Sequence, residues 1–279
     1  MLEPLRHFAL VAQHGTLTAA ARHAHVTQPA LTASIQRLEA QMGAKLLVRG
    51  PGGASLTAAG EALLPRARAA LAAVEEGRRA VAEITGLAAG TVRLGAGATV
   101  CTYYLPRTIA KFRAARPGVR LHLREAPPDD LLDALEAGDL DLVILSRIGR
   151  VPGGAHLARE KWLDDELVLV GAPGVDPKTA PLVTFAHGQT TRTIVDRVFP
   201  EIPIAMELGS IAAVKGNTRA GVGIALVSRR AAQRDVAIGQ LVEIPSDRTP
   251  IVRALYLVHR GRDRLPPAAA ELLRMLRKR

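Results

Sequence analysis

The chain has 279 residues, a net charge of +11 and a pI near 10.7, and 48% of its residues are hydrophobic. This length predicts about two domains, and the apolar content excludes an intrinsically disordered chain. The excess of positive charge favours a polyanionic partner. A single cysteine, Cys101, excludes an internal disulfide and fits a reducing cytoplasm.

The sequence carries no recognisable export, membrane or cofactor signal. No apolar run approaches the roughly 18–20 residues that span a bilayer, and the first apolar stretch is interrupted by Gln13 and His14. The histidines lack the H-E-x-x-H spacing of a zinc site, and the glycine-rich pieces GAGAT and GVGIAL lack the order of a nucleotide-binding loop. We therefore expect a cytoplasmic protein without a metal or cofactor, which argues against an ordinary secreted binding protein.

The first part of the chain, residues 2–42, predicts three short helices. The first ends at Gly15 and has apolar residues at helical spacing, namely Leu5, Phe8, Ala9 and Ala12. Thr16 or Thr18 can cap the second helix, and residues 25–26 fill a tight turn after it.

The third helix is predicted to begin after the capping residue Thr27, with a proline in its first turn. Its buried stripe is Leu31, Ile35, Leu38 and Met42. Its other side carries mostly small and amide side chains, namely Pro29, Ala30, Ala33 and Gln36, together with Arg37. Gln28 lies at the N-terminal tip of the helix, and Thr32 lies on the flank of this side. Such a face suits a DNA major groove, because glutamine pairs with adenine and arginine with guanine. An ordinary three-helix packing unit would show the same spacing.

A wing and a long helix are predicted next. Residues 46–56 form two short strands around a glycine-rich turn, and Thr57 caps a helix that extends to about Thr85. Residues spaced by three and four form a heptad seam, interrupted by Arg78, that comprises Leu64, Ala67, Leu71, Val74, Val81 and Thr85. The seam favours pairing with a second chain, although one amphipathic helix on a globular core is the alternative. Gly86 and Gly90 mark the exit and a hinge.

From Thr91 onward, predicted strands alternate with helices. The first group has strands at 92–97, 119–123 and 140–145, with a helix around Phe112 and another at 129–136. The second group has strands at 166–170, 182–185, 204–208 and 223–227, and helices at 191–198 and 211–220. A strand at 254–259 and a helix at 267–277 return to the first group. This order predicts an α/β fold of two lobes with parallel strands and right-handed crossovers.

The sequence resembles a known family. The run FALVAQHGTLTAAARHAHVTQPALTASIQRLEAQMGAKLLVRG, followed by LTAAG, is closely similar to the N-terminal domain of LysR-type transcriptional regulators. LPRTIAKFRAARPGV, LLDALEAGDLDLVIL and VKGNTRAGVGIALVS are similar, in that order, to the family's effector domain. The resemblance implies a winged helix-turn-helix at 1–58, a linker and dimerisation helix at 59–88, and at 89–279 a two-lobed effector-binding domain of the periplasmic-binding-protein type II architecture. Lobe I would comprise 91–160 with 250–279, and lobe II 161–249.

The resemblance also implies DNA contacts and an assembly. Carried over position by position, the matching residues are Thr27, Gln28, Pro29, Ala30, Thr32 and Arg37, to which the helical face adds Gln36 and the wing adds Arg49. The chain departs from the family at Ala33, where a basic residue is usual, and in the wing, which has GPGGAS instead of an arginine-rich turn. The family binds near-palindromic DNA as a homodimer or homotetramer and changes its bending, with reading helices in successive major grooves about 34 Å apart.

An effector site is expected where strands end and helices begin. Three such places follow predicted strands. The first contributes Thr99, Val100, Cys101 and Thr102, the second contributes Ser146, and the third contributes Gln189, Thr190 and Thr191. Thr99 matches the Ser/Thr that contacts effector in related sensors. Hydroxyl groups, free backbone N–H groups and either Arg147 or Arg192 favour a small organic anion. The alternative is that these residues only cap helices.

The leading hypothesis is a sequence-specific, non-enzymatic transcriptional regulator that binds double-stranded promoter DNA and a small-molecule co-inducer. A redox or nucleophilic role for Cys101 would use the helix N-terminus to lower its pKa, but no second cysteine or suitable base accompanies it. Two alternatives are a two-lobed solute-binding or enzyme domain, with residues 1–85 only for dimerisation, and an architectural DNA protein that ignores sequence. Residues 250–279 carry a net charge of +6, whereas residues 1–60 carry a net charge of +3. A solvated helix face would explain the positive charge near the C-terminus.

Overall fold

A computed structural model of the chain describes residues 1–50, 53–84, 90–146 and 157–278. It divides into two compact units. The first comprises residues 1–88 with 134–139, and the second comprises residues 89–133 with 140–279.

The first unit begins with the three predicted helices. They are α1 (Leu2–His14), α2 (Leu17–His23) and α3 (Gln28–Met42). Thr16 caps α2 by accepting a hydrogen bond from the Ala19 N–H at 3.2 Å, and Thr27 caps α3 in the same way. Gly15 has φ 69°, the left-handed conformation that ends a helix without a steric penalty. The three helices enclose an apolar core that includes Phe8, Val11, Leu31, Ile35 and Leu38.

The wing and the long helix complete this unit. Strands β1 (Leu47–Gly50) and β2 (Gly53–Leu56) pair antiparallel, and α4 spans Ala58–Ile84. The first half of the predicted seam packs on the unit's own core through Leu64, Ala67 and Leu71. The later positions Val74 and Val81 are 38% and 61% exposed. Met42, predicted in the buried stripe of α3, is also exposed at 39%, because it lies in the last turn of its helix.

The second unit contains a sheet that mixes parallel and antiparallel strands. Strands β3 (Thr91–Ala96), β4 (Arg120–Glu125) and β5 (Leu142–Ser146) are parallel, as predicted from the βαβαβ order, and β3 lies between the other two. Helices α5 (Pro106–Ala115) and α6 (Pro128–Glu136) connect them. A π-helical turn at Val100–Tyr104, which the periodicity did not reveal, precedes α5.

The remaining strands and helices form the rest of the second unit. In chain order they are β6 (Ala158–Gly171), β7 (Leu182–Phe185), α7 (Thr190–Val198), β8 (Ile204–Leu208), α8 (Ile211–Arg219), β9 (Ala225–Ser228), α9 (Arg229–Ala237), β10 (Val242–Glu243), β11 (Ile251–His259) and α10 (Pro267–Arg277). The strand β6 begins eight residues earlier than the predicted 166 and pairs with both β11 and β9. Helix α9 and strand β10 were not predicted.

The two long antiparallel strands β6 and β11 run between the two halves of this unit. One end of β11 pairs with β5, and α10 packs over β3 and α5, so the tail returns to the first group of strands as predicted. Trp162 on β6 donates a hydrogen bond from Nε1 to the Leu276 carbonyl at 2.7 Å, which fixes α10 to the sheet. The other half has its own two apolar clusters around β7, β9 and helices α7 to α9.

A glycine at the start of α4 gives a test of the first unit's packing. A Cβ added at Gly60 would lie 2.2 Å from the Leu46 carbonyl oxygen, whereas one added at Gly77 would meet nothing within 4 Å. We expect Gly60→Ala to lower the free energy of unfolding by about 1–3 kcal/mol despite alanine's better helix propensity. Gly77→Ala should raise it by up to about 1 kcal/mol. Chemical unfolding of both variants measures this, and equal effects would contradict the close packing.

Candidate DNA-reading helix and effector cleft

The exposed side of α3 carries the residues predicted to contact bases. Gln28, Pro29, Ala30, Gln36 and Arg37 are exposed, as is Ala33, and Thr32 is half-buried. The Thr18 hydroxyl on α2 donates a hydrogen bond to Oε1 of Gln28 at 3.2 Å, which leaves the amide NH₂ of Gln28 directed away from that contact. Arg49 lies in β1, but its side chain is outside the described part of the structure.

Two buried polar contacts fix the position of α3. Ser34 is joined to His7 of α1 by a hydrogen bond of 2.8 Å between Oγ and Nδ1. Burial lowers the pKa of His7, and the nearby Arg6 and Arg37 lower it further against the opposing charge of Glu3. A neutral ring in this contact adds no buried charge beside α3.

Glu39 connects the other end of α3 to the wing. Its Oε1 accepts hydrogen bonds from the backbone N–H groups of Leu46 at 3.0 Å and Leu47 at 3.4 Å, and its Oε2 pairs with Lys45 at 2.7 Å. On the wing's other strand, the Ala54 N–H donates to the Gly15 carbonyl at 2.7 Å. Helix α3 and the wing are therefore held in fixed relative positions by hydrogen bonds.

A cleft in the second unit lies at the carboxyl ends of β3, β4, β5 and β7. Six of the predicted effector residues line it, namely Thr99, Val100, Ser146, Gln189, Thr190 and Thr191. Further lining comes from Ala126, Pro128, Phe185, Arg253 and Leu255. The arrangement combines hydroxyl groups and the N-terminal ends of two helical segments with an apolar wall, as small-molecule sites do.

Among the described residues that line this cleft, the one positively charged side chain is that of Arg253. This residue was not predicted from the sequence. It lies on β11, is 7% exposed, and pairs through Nε and Nη2 with Oδ2 of the buried Asp165 at 2.8 and 2.7 Å. Its Nη1 donates to the Thr191 hydroxyl at 3.2 Å. Arg253 lies one residue before the predicted strand at 254–259, so no pattern in the sequence marked it as buried.

The same carboxylate receives two further hydrogen bonds. Tyr104 of the π-helical turn and Ser228 at the end of β9 both donate to Oδ1 of Asp165, at 2.6 and 2.5 Å. Burial, with the hydrogen bond and charge of Asp165, raises the pKa of Tyr104 to about 12, so its hydroxyl stays protonated and donates. Asp165 thus connects the segment after β3, the β9–α9 junction and the arginine of the cleft.

Three other predicted positions lie elsewhere, and a fourth is outside the described residues. Cys101 and Thr102 do not line the cleft, since Cys101 packs on the apolar core and donates to the Ala96 carbonyl, while Thr102 is exposed. Burial, aided by the charge of Glu125, raises the pKa of Cys101 to about 12, opposite to the lowering expected from a helix N-terminus. Arg192 is buried against Asp196 and Glu207 instead of facing the cleft, and Arg147 lies outside the described residues.

Within the described residues, no group of three or more His, Cys, Asp or Glu side chains is arranged to hold a metal ion. No helix in that same part of the chain is long and apolar enough to cross a membrane.

Comparison with known proteins identifies the family. Residues 2–61 match the bacterial regulatory helix-turn-helix protein family, lysR type, and residues 85–279 match the LysR substrate binding domain. The chain belongs to the LysR family of transcriptional regulators. The HTH-type transcriptional regulator CbbR of Xanthobacter flavus is 32% identical to this LysR-family chain over 99% of its length and 87% of the relative. The match at residues 2–61 overturns the alternative in which the N-terminal region serves only for dimerisation.

Solved structures share the fold of this LysR-type regulator. Full-length OxyR from Pseudomonas aeruginosa has a TM-score of 0.67 at 22% identity and covers 99% of this chain and 94% of its own. Vibrio fischeri DarR in complex with DNA has a TM-score of 0.61 at 20% identity and covers 100% and 99%. The predicted fold class, a winged helix-turn-helix, a long helix and a two-lobed α/β domain, is confirmed.

The contacts of Glu39 predict a pH-dependent stability. Burial alone raises its pKa, but the hydrogen bonds from Lys45, Leu46 and Leu47 outweigh this and lower the pKa below 4.5. Ionised Glu39 therefore stabilises the fold at neutral pH, and this stabilisation is lost as the pH falls through the lowered pKa. Glu39→Gln should lower the free energy of unfolding by about 1–2 kcal/mol at pH 7.

The difference from wild type should shrink as the pH falls, as measured by chemical unfolding and by amide exchange at Leu46 and Leu47. Glu61→Gln, an exposed carboxyl in the first turn of α4, is the control: it should cost only about 0.3–1 kcal/mol through the lost interaction with the helix dipole, and it should leave amide exchange at Leu46 and Leu47 unchanged. A Glu39→Gln deficit that stayed constant down to pH 3 would contradict the assigned contacts.

Proposed function

We propose that this regulator reads a near-palindromic promoter site through the exposed face of α3 and responds to a small organic anion in the cleft. The observation that carries the proposal is the composition of that face. Small side chains allow close approach to the groove, and Gln28, Gln36 and Arg37 offer the amide and guanidinium groups that recognise adenine and guanine. Regulation occurs by binding alone, without an enzymatic step, in the cytoplasm where promoter DNA lies.

A two-fold assembly is part of the proposal. Two copies of α3 must be spaced by about one turn of DNA to read both halves of a palindrome. The exposed Val74 and Val81 on the second half of α4 are apolar positions of the heptad seam that a second copy would cover. Linker and effector units of further copies would then extend the dimer to a tetramer.

The proposed effector carries a carboxylate or similar anionic group. Arg253 and the hydroxyls of Thr99, Thr190 and Thr191 converge on the cleft, together with backbone N–H groups at the start of α7. Because Asp165 already neutralises Arg253, these hydroxyl and N–H donors supply much of the recognition. An anion that draws on the same donors from both sides of the cleft would shift the two halves toward closure.

Replacing Gln28 tests the reading helix. Gln28→Ala should weaken binding to the specific promoter site by about 1–3 kcal/mol and leave binding to random duplex nearly unchanged. Gln41→Ala, an exposed glutamine at the other end of the same helix, is the matched control and should leave both affinities unchanged. Titration of both duplexes at fixed salt measures this, and equal losses on both would show that Gln28 only positions α3.

Replacing Thr99 tests the cleft. Thr99→Val removes a hydroxyl at constant volume, so footprinting with a panel of small carboxylates should show intact DNA protection that no longer shifts with ligand. Thr102→Val makes the same change one turn further on, outside the cleft, and should respond as wild type does. If the DNA protection by Thr99→Val shifted with ligand as it does in wild type, the assignment of this cleft as the effector site would be wrong.

A further inference from the structure

A second concave surface lies between α8 and α9 and includes Tyr103 in its lining. We call it the α8–α9 groove, and its charged and aromatic lining is Tyr103, Lys215, Arg219, Arg230, Arg234 and Asp235. None of its lining residues lines the effector cleft. The groove thus contains four basic side chains and one carboxylate.

That carboxylate is fully engaged. Oδ2 of Asp235 accepts from Lys215 Nζ at 2.6 Å, and Oδ1 accepts from Arg219 at 3.1 Å. Lys215 is buried and also donates to the Ala231 carbonyl at 2.7 Å. Burial alone raises the pKa of Asp235, but the hydrogen bond and charge of Lys215, with Arg219, outweigh it, so its pKa is lowered and the group stays ionised.

Two of the three arginines on α9, Arg230 and Arg234, have no acidic partner among the described residues, whereas Arg229 pairs with Glu166 and Glu243. Arg230 donates from Nε to the Tyr103 carbonyl at 2.9 Å and lies 4.8 Å from the Tyr104 ring centroid, which leaves its terminal nitrogens available. Arg234 is exposed and makes no ion pair within the part of the chain that the structure describes. The two stand four residues apart on one helix, where like charges repel. A bound anion would relieve that repulsion.

We propose that the α8–α9 groove binds a small phosphate-bearing anion with at least two negative charges. Two guanidinium groups present parallel N–H donors that match phosphate oxygens, and phosphate carries more charge per oxygen than a carboxylate. Arg219 closes the groove from the α8 side, and the ring of Tyr103 supplies a wall against which the rest of the molecule packs.

Inorganic pyrophosphate is the probe, titrated calorimetrically into the full-length protein at constant ionic strength. Wild type should bind it, whereas Arg230→Gln combined with Arg234→Gln should weaken binding by about tenfold or more. Arg234→Gln alone removes no side-chain contact within the described structure. It should still weaken pyrophosphate binding measurably, by less than the double substitution does. Unchanged thermal unfolding of each variant shows that the fold is intact.

Arg107→Gln combined with Lys111→Gln is the matched control, because these exposed cations have the same spacing on α5 and the same charge. It should stay within about twofold of wild type, as should the cleft variant Thr99→Val. Absence of wild-type binding, or equal weakening by the α5 pair, would overturn the proposal. Weakening by Thr99→Val would move the anion to the cleft, and loss of pyrophosphate binding in excess random duplex would make the groove a DNA-backbone surface.

Discussion

The buried ion pair between Asp165 and Arg253 is the contact on which the second unit's site depends. Two charges taken out of water are stable only when every remaining lone pair and N–H is satisfied, and here Tyr104, Ser228 and Thr191 supply those hydrogen bonds. Removing one member would leave a buried unpaired charge, at a cost of about 3–5 kcal/mol. The network therefore sets the relative positions of the strand ends that surround the cleft.

The same network brings the two concave surfaces of the unit within reach of each other. Arg230 lies over the ring of Tyr104, whose hydroxyl binds Asp165, and Asp165 holds the arginine of the cleft. An anion at the α8–α9 groove and one in the cleft would thus act on opposite ends of one chain of contacts, in which a cation–π contact joins Arg230 to Tyr104 and hydrogen bonds join Tyr104, Asp165 and Arg253. Coupling of this kind is reciprocal, so each ligand would change the affinity for the other by the same factor.

In the DNA-binding unit, a few buried polar contacts position α3, as the Asp165 network positions the strand ends of the second unit. His7 and Ser34 join α1 to α3, and Glu39 joins α3 to the backbone of β1. Ser34 and Glu39 lie within the buried side of α3, directly beside Ile35 and Leu38. Each hydrogen bond has direction, whereas apolar packing does not, so these contacts fix the orientation of the exposed side of α3 as well as the depth of its packing.

The sequence by itself determined what local pattern controls. Helical spacing, caps and the winged helix-turn-helix run predicted α1 to α3, the alternating strand and helix order predicted the parallel strands, and six cleft residues followed from strand ends. Tertiary structure alone decided the rest. It placed Arg253 on β11 in the cleft and against Asp165 on β6, which lies 88 residues away in the sequence. It also packed Cys101 on the apolar core. Spacing reports which side of one element is apolar, whereas these outcomes depend on which elements meet across the sheet.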